Sequence, residues 1–546
     1  MNKLIFVSGG VCSSLGKGVA ASSLGALLES SGLNVRMIKC DPYINVDAGT
    51  QSPYQHGEVY VTDDGAETDL DLGNYARFTS GLLSKANSIT TGQVYNSVIR
   101  KEREGRYLGR CVQVIPHITD EIKARILAVA KEDGDTDIVI VEIGGTVGDI
   151  ESIPFLEAAR QLIHESGRGS ALSVHLTLVP EVGGGELKTK PTQHSVKAMQ
   201  EMGIQPDVLI CRAPEMLDEA TRRKIALFTN IENDAVFTSI DVNTTIYEVP
   251  LMFYEQKLEK VVLKKLGIDT RQANIEPWKA VIERTASRKR KVRIGIVGKY
   301  IELHDAYKSV YEALFHASLE CGVEVELVKI ASARLEEAEQ ASQIMESGID
   351  GILVPGGFGR RGVKGMVKAA AWARNNKIPY FGISLGMHVM IIEWGRNVLG
   401  WEDADSTEFN KETRYPVVSL LAEKQGQSEK QGQSEIQNET IRLGNYISTT
   451  EPGTKIFSAY SGKNVSERHR HRYKVSNRFR DEMTKSGLVI GATSLEKNLV
   501  DCVEWPDHPW GLGVQFYPEF KSKPTAANPL FRDFIAASRD VKSAKE

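Results

Sequence analysis

Gly9-Gly10-Val11-Cys12-Ser13-Ser14-Leu15-Gly16-Lys17-Gly18 follows the apolar run Leu4–Val7 and precedes the small-residue stretch Ala20-Ala21-Ser22-Ser23. Strand, glycine-rich turn and helix in that order build a phosphate cradle. Glycines let successive N–H groups point at phosphate oxygens, lysine adds a point charge, and the helix N-terminus adds its dipole. The pattern departs from the usual P-loop in two ways. Five residues separate Gly10 from Gly16, and Gly18 stands where a Ser or Thr is expected to bind magnesium. Magnesium ligands must then come from elsewhere, with carboxylates as natural donors. The candidates are the acidic set Asp63, Asp64, Glu67, Asp69, Asp71 and, in Val141-Glu142-Ile143-Gly144-Gly145, Glu142.

Outward from this loop, short apolar runs alternate with helical stretches: Val35–Ile38, Ile138–Val141, Ser173–Leu178 and Val208–Cys211. That alternation predicts an α/β fold with a mostly parallel sheet over residues 1–268. A linker is expected over 269–291, carrying Pro277 and ending in the basic run Arg288-Lys289-Arg290-Lys291. A second α/β domain is expected over 292–540, opening at Val292–Val297 and continuing through Gly351-Ile352-Leu353-Val354-Pro355-Gly356-Gly357. Within it, Lys424-Gln425-Gly426-Gln427-Ser428-Glu429 repeats at once as Lys430–Glu435. A polar tandem repeat cannot bury a core, so 424–439 is read as a flexible surface insertion. The chain of 546 residues is long enough for two such domains.

Net charge is −4, which gives no electrostatic footprint for nucleic acid or a membrane surface. The six cysteines are scattered without a CxxC pair, as expected of reduced thiols in the cytoplasm. No apolar run has the length of a membrane span.

In the second domain, Gly382-Ile383-Ser384-Leu385-Gly386 has the form of a nucleophile elbow, fed by Ile378, Tyr380 and Phe381 and followed by the apolar stretch Met387–Trp394. A serine is a weak nucleophile until a base takes its proton. The downstream position for a base reads Val514-Gln515-Phe516-Tyr517-Pro518-Glu519-Phe520. Tyrosine, with an ordinary pKa of about 10, cannot serve as imidazole does near pH 7. His388, one turn after Ser384, could in principle face it as a substitute base. A serine hydrolase would need a base from among His469, His471 and His508, none of which has a convincing context.

The blocks Lys39–Asp47, Gln55–Glu58, Asp64–Gly73, Gly144–Glu151, Lys188–Gln193, Gly295–Leu303, Asp305–Val310 and Arg468–Tyr473 resemble CTP synthase, nearly end to end. The resemblance implies an N-terminal P-loop-like amidoligase domain and a C-terminal class I glutamine-amidotransferase-like domain. It implies that ATP phosphorylates O4 of UTP and that ammonia displaces the phosphate from C4. Ser13, Ser14, Leu15, Gly16, Lys17, Gly18 and Asp71 would hold ATP, with Lys17 and Lys39 catalytic on the migrating phosphoryl group. Asp71 and Glu142 would hold Mg2+. Ser13, Asp149, Ile150, Glu151, Lys188, Thr189, Lys190, Gln193 and Lys224 would bind UTP or CTP. The expected assembly is a homotetramer, with filament formation as a further expectation.

The chain leaves the family pattern at three places. Ser384, Tyr517 and Glu519 stand where active members carry Cys and a His-x-Glu pair, so glutamine hydrolysis is expected to be lost and ammonia, or another small amine, to be the nitrogen source. Gly356-Gly357, Glu408 and Arg470 persist, but Lys364 stands in the lid where an acid is usual. Leu178–Glu186 is one residue short, with Glu181 in place of an aromatic residue, which reads either as drift in a surface turn or as an altered pocket. Two other functions fit the same residues: a paralogue coupling a different amine or nucleotide, and a regulatory pseudoenzyme partner of an active CTP synthase.

Overall fold

The computed structural model describes residues 2–132, 134–242, 244–269, 272–337, 348–421, 441–462, 464–495 and 498–545. The Lys424–Glu435 repeat, and with it the expected insertion at 424–439, lies outside these residues. The chain divides into two compact units, Met1–Thr50 with Thr68–Thr285, and Gln51–Glu67 with Ala286–Glu546.

In the first unit, β1 (Lys3–Gly9), β2 (Val35–Asp41), β3 (Ser88–Thr90), β4 (Ile138–Ile143), β5 (Ala171–Leu178), β6 (Val208–Arg212) and β7 (Val236–Ser239) form a sheet. Its order is β7-β6-β5-β1-β4-β2-β3, and every pair is parallel. A parallel sheet covered by helices on both faces needs apolar residues on both faces, hence the near-continuous runs. Ile5, Ile140 and Val174 are fully buried accordingly. The parallel order also sets the C-terminal ends of β1, β2, β4, β5 and β6 along one edge, where α/β sheets bind ligands.

Three helices matter for that edge: α1 (Lys17–Ser30), α2 (Asp71–Phe78) and α3 (Lys190–Glu201). A fourth, α4 (Glu276–Ser287), occupies much of the segment expected to be a linker. Its Trp278 is buried and stacks on Phe78 at 5.5 Å between ring centroids, with Tyr247 at 6.2 Å. The linker expectation at 269–291 is therefore corrected. Pro277 sits in the first turn of α4, where proline is tolerated, and Arg290-Lys291 open the next strand.

The second unit holds β8 (Arg290–Gly298), β9 (Val323–Ala331), β10 (Gly351–Val354), β11 (Tyr380–Ile383), β12 (Arg442–Thr450), β13 (Asn464–His471), β14 (Val489–Ser494), β15 (Val500–Glu504) and β16 (Gly511–Val514). The order is β9-β8-β10-β11-β16-β15-β14-β12-β13, parallel from β9 to β16 and antiparallel beyond. α5 (Val363–Asn375) and α6 (Leu385–Asn397) cover it. α6 is buried all round, with Met387, Val389, Met390, Ile391 and Ile392 fully inaccessible, as a helix apolar on every side must be.

The single unit expected over 1–268 is corrected at 51–67, which folds with the second unit. Charged side chains explain this. Glu58 accepts from the Ser309 N–H at 2.8 Å and from its hydroxyl, Asp63 pairs with Arg468 at 2.7 Å, and Glu67 pairs with Arg470 at 2.6 Å.

Replacing Trp278 by Ala is expected to cost about 3 kcal/mol and to release α4. Hydrogen–deuterium exchange checks this: 276–287 is protected in the parent and exchanges fast in the variant.

Candidate functional site

The loop after β1 is left-handed at Val11 (φ 75°), Ser14 (φ 59°) and Gly16 (φ 89°), the last capping α1. Residues with a Cβ pay for that conformation, so the curl is imposed by its surroundings. Arg212 at the end of β6 donates to the Leu15 carbonyl at 3.1 Å and pairs with Asp241. Val147 N–H donates to Gly9 O at 2.8 Å, and Lys17 Nζ donates to Gly145 O at 2.8 Å. The loop that follows β4 is thus laced to the glycine-rich loop after β1, and it carries Asp149, Ile150 and Glu151, all exposed.

Lys39, at the end of β2, is buried and pairs with Asp71 on α2 and with Glu142 on β4 at 2.9 Å. Burial opposes its charge, but Asp71 and Glu142 outweigh burial and hold Lys39 well above the usual lysine range. Burial raises Glu142, with Asp71 adding to the rise and Lys39 opposing it. Burial would raise Asp71 too, but its contact with Lys39 keeps it below the ordinary value. Lys17 is lowered, chiefly by burial. Tyr75 donates to the second Glu142 oxygen.

A Cβ at Gly18 would collide with Asp71 Oδ1. This gives the missing Ser/Thr a physical reason, since the space is taken by a carboxylate. Two carboxylates converging on one cationic position suit magnesium, which takes one or two carboxylates and completes its shell with water and phosphate oxygens. No group of three or more His, Cys, Asp or Glu is arranged to hold an ion among the described residues. Of the acidic candidates, Asp69 and Asp71 lie here, whereas Asp63 and Glu67 are paired with arginines in the second unit.

Lys188 Nζ pairs with Glu186 at 2.5 Å, and Lys224 lies close enough to act on the same carboxylate. Gln193 donates to Thr189 Oγ1 at 3.0 Å, and Lys190 opens α3. The shortened Leu178–Glu186 segment is a closed antiparallel hairpin, Glu181–Val182 against Glu186–Leu187, turned through Gly184 (φ 90°) and Gly185 (φ 83°). Glu181 is exposed.

In the second unit the elbow is present. Ser384 has φ 50° and ψ −99° between β11 and α6, and Cβ atoms at Gly382 or Gly386 would strike backbone. Tyr517 is buried against the Gly356 backbone, so a Cβ on Gly356 would meet its Cε1 at 2.6 Å. Its hydroxyl donates to Arg470 O at 3.3 Å, and Ser384 lies close enough to act on the phenol. Burial pushes the phenol up to about 12, eased by Arg470. Glu519 is buried with its Oε2 unpartnered in the protein, and burial raises it well above the carboxylate range.

The four histidine rings at or after the elbow find partners elsewhere. His388 Nε2 lies 2.9 Å from Gln515 Oε1, and burial lowers it to about 4. His471 Nδ1 donates to Tyr473 O at 2.8 Å, which leaves its Nε2 to accept from His469 Nδ1 at 3.1 Å. His508 Nε2 donates to Ala373 O at 3.2 Å. The substitute-base reading of His388 is thereby corrected, because its ring is held by Gln515. Glu408 accepts from Gly359 N–H at 2.6 Å.

Sequence reasoning missed Arg212, whose neighbours in the chain carry no motif, and Tyr75, which stands just past the Asp64–Gly73 block. Gly18 in place of Ser or Thr signalled a carboxylate from elsewhere, and only the resemblance singled out Asp71 among the acidic candidates.

No helix of the described residues is long and apolar enough to cross a membrane. The family profile for the CTP synthase N-terminus matches residues 3–268, and that for class I glutamine amidotransferase matches 302–537. The chain is 52% identical over 541 residues to a CTP synthase of Clostridium acetobutylicum, covering 99% of both chains. It is 54% identical over 545 residues to one of Geobacter sulfurreducens, covering 100% of this chain and 99% of that one. With the matching profiles and the full-length identity, the chain belongs to the CTP synthase family.

Proposed function

We propose that this chain converts UTP to CTP with ATP and free ammonia, and that its glutaminase site is silent. The γ-phosphoryl group of ATP passes to O4 of UTP; ammonia then adds at C4, and inorganic phosphate leaves. An amide-like oxygen is a poor leaving group, and phosphorylation makes it a good one. Such a transfer needs positioning and charge neutralisation more than covalent help. The curled loop Ser13–Gly18 presents N–H groups and Lys17 to the ATP phosphates. Lys39 stands beside them with its charge secured by two carboxylates. Asp71 and Glu142 would hold Mg2+, which on binding neutralises phosphate charge. Lys188, Thr189, Lys190, Gln193 and Lys224 grip the UTP phosphates, and Asp149 to Glu151 face its base and ribose.

The observation that carries the ammonia reading is the Tyr517–Ser384 pair. Tyr517, raised to about 12, holds its proton throughout the physiological range and cannot take one from Ser384. Glu519 has no imidazole to orient. The resemblance implies a cysteine and an imidazole at these two positions; here both carry a hydroxyl.

With UTP, ATP and magnesium, ammonium chloride is expected to yield CTP and glutamine to yield none above background. CTP formed readily from glutamine would sink the proposal. A product spectrum in which another amine or nucleotide outcompetes ammonia and UTP would favour the paralogue, and absence of ATP and UTP binding the pseudoenzyme.

The double variant Ser384→Cys with Tyr517→His supplies a thiol and an imidazole beside the waiting Glu519. Glutamine hydrolysis is expected to rise by at least about 100-fold over either single variant, measured as glutamate release.

Glu519→Gln is expected to stabilise the parent by about 1 kcal/mol at pH 8 and to be neutral at pH 4. The sign follows from the raised carboxyl. Its folded pKa lies above the unfolded one, so its contribution is intact below the unfolded value and is lost as pH rises through the folded value. Thermal melts at the two pH values check it.

A further inference from the structure

His175 lies on β5 beside β1, in register with Ser8, and is fully buried. Its Nδ1 is 2.9 Å from Ser8 Oγ, immediately before the phosphate loop. Its Nε2 is 2.8 Å from Ser195 Oγ on α3, the helix whose first turn carries Lys190 and Gln193. A Cβ at Gly10 would collide with Ser195 Oγ and come within 3.3 Å of His175 Nε2. The Gly10 backbone therefore rests directly on the serine–imidazole pair. Ser8 Oγ also contacts Met199 Sδ on α3 at 3.8 Å. These contacts set how far the loop stands from the helix.

The imidazole is neutral, since burial pulls it down to about 3, with the charge of Lys17 adding to the effect. A neutral ring has one donor and one acceptor. Ser8 and Ser195 must therefore take opposite roles, and one proton arrangement runs unbroken from β1 to α3. Such a fully satisfied buried network is rigid, and removing a member leaves a buried polar atom exposed to no partner.

We infer that Ser8, His175 and Ser195 are positioning residues that hold the phosphate loop and α3 at the separation phosphoryl transfer requires. This rests on the reading of Gly9–Gly18 as the ATP loop and Lys188–Gln193 as the UTP grip. In-line transfer depends on the approach of two bound groups, so a shift of the loop against the helix slows chemistry while each nucleotide still binds its own half.

The test uses the full-length chain with Ser195→Ala, Ser8→Ala and Ser8→Thr. Affinities for a non-hydrolysable ATP analogue and for UTP are measured separately by calorimetry, and kcat with saturating ATP, UTP and ammonium. For both alanine variants kcat is expected to fall by about 10- to 100-fold while each Kd moves by less than about twofold. Ser8→Thr, which keeps the hydroxyl, is expected to restore kcat. Folded alanine variants with unchanged kcat would overturn the inference, as would a collapse of both affinities in step with kcat. If Ser195→Ala fails to fold, Ser8→Ala interrogates the same network from its other end. A parent chain that binds neither nucleotide would sink the functional reading and this inference with it, an outcome distinct from one in which binding is intact and kcat is indifferent.

Discussion

Lys39 between Asp71 and Glu142 is the interaction on which the first unit's candidate site depends. Three elements meet there: β2 supplies the ammonium, β4 one carboxylate and α2 the other. Removing one partner of such a buried set leaves an uncompensated charge, which typically costs about 3–5 kcal/mol. The same set dictates local sequence elsewhere. Asp71 fills the space beside α1 and excludes any side chain at Gly18, and Tyr75 is drawn in to satisfy the second oxygen of Glu142.

The second unit separates geometry from chemistry. Ser384 keeps a strained backbone, a conformation that costs on the order of 1–3 kcal/mol and persists only where surroundings over-determine it. Those surroundings are structural. α6 is buried on every side, Gly386 is pressed on Val354, and Gly382 on the first turn of α6. The elbow is therefore held by the core and outlasts any change in the residue at its tip. Tyr517 fits the same logic, because its ring packs on Gly356 and stacks on Phe520 at 5.5 Å between centroids, 8° between planes. An aromatic side chain in that slot is well packed whatever it does chemically. Glu519 shows what packing does not repair: a buried carboxyl with an unpartnered oxygen.

Much of this was legible along the chain. The runs at Leu4–Val7, Val35–Ile38, Ile138–Val141 and Val208–Cys211 lie inside β1, β2, β4 and β6, because a strand buried on both faces has to be apolar throughout. The loop after β1 and the elbow at Ser384 announce themselves through glycines whose spacing is local. The acidic stretch 63–71 was not resolved in this way. Asp63 and Glu67 pair with Arg468 and Arg470, some four hundred residues later, while Asp71 meets Lys39. Nothing in the stretch itself distinguishes them. The helix at 276–287 was hidden for a similar reason: Trp278 is apolar evidence for a core only once Phe78 and Tyr247 are known to stand against it.

By itself, the order of residues determined the α/β character of both halves, the glycine-rich loop after β1, the elbow, and the identity of the side chains at the elbow's tip and at Tyr517, since each is a matter of short-range pattern or of which atoms are present. Only the tertiary structure decided where those side chains point. It turned His388 to Gln515, left one Glu519 oxygen without a partner, sent residues 51–67 into the second unit and placed His175 beneath Gly10. Hydrogen bonds and ion pairs between distant segments are settled by burial, where each polar group must find whatever partner the packed chain brings within reach.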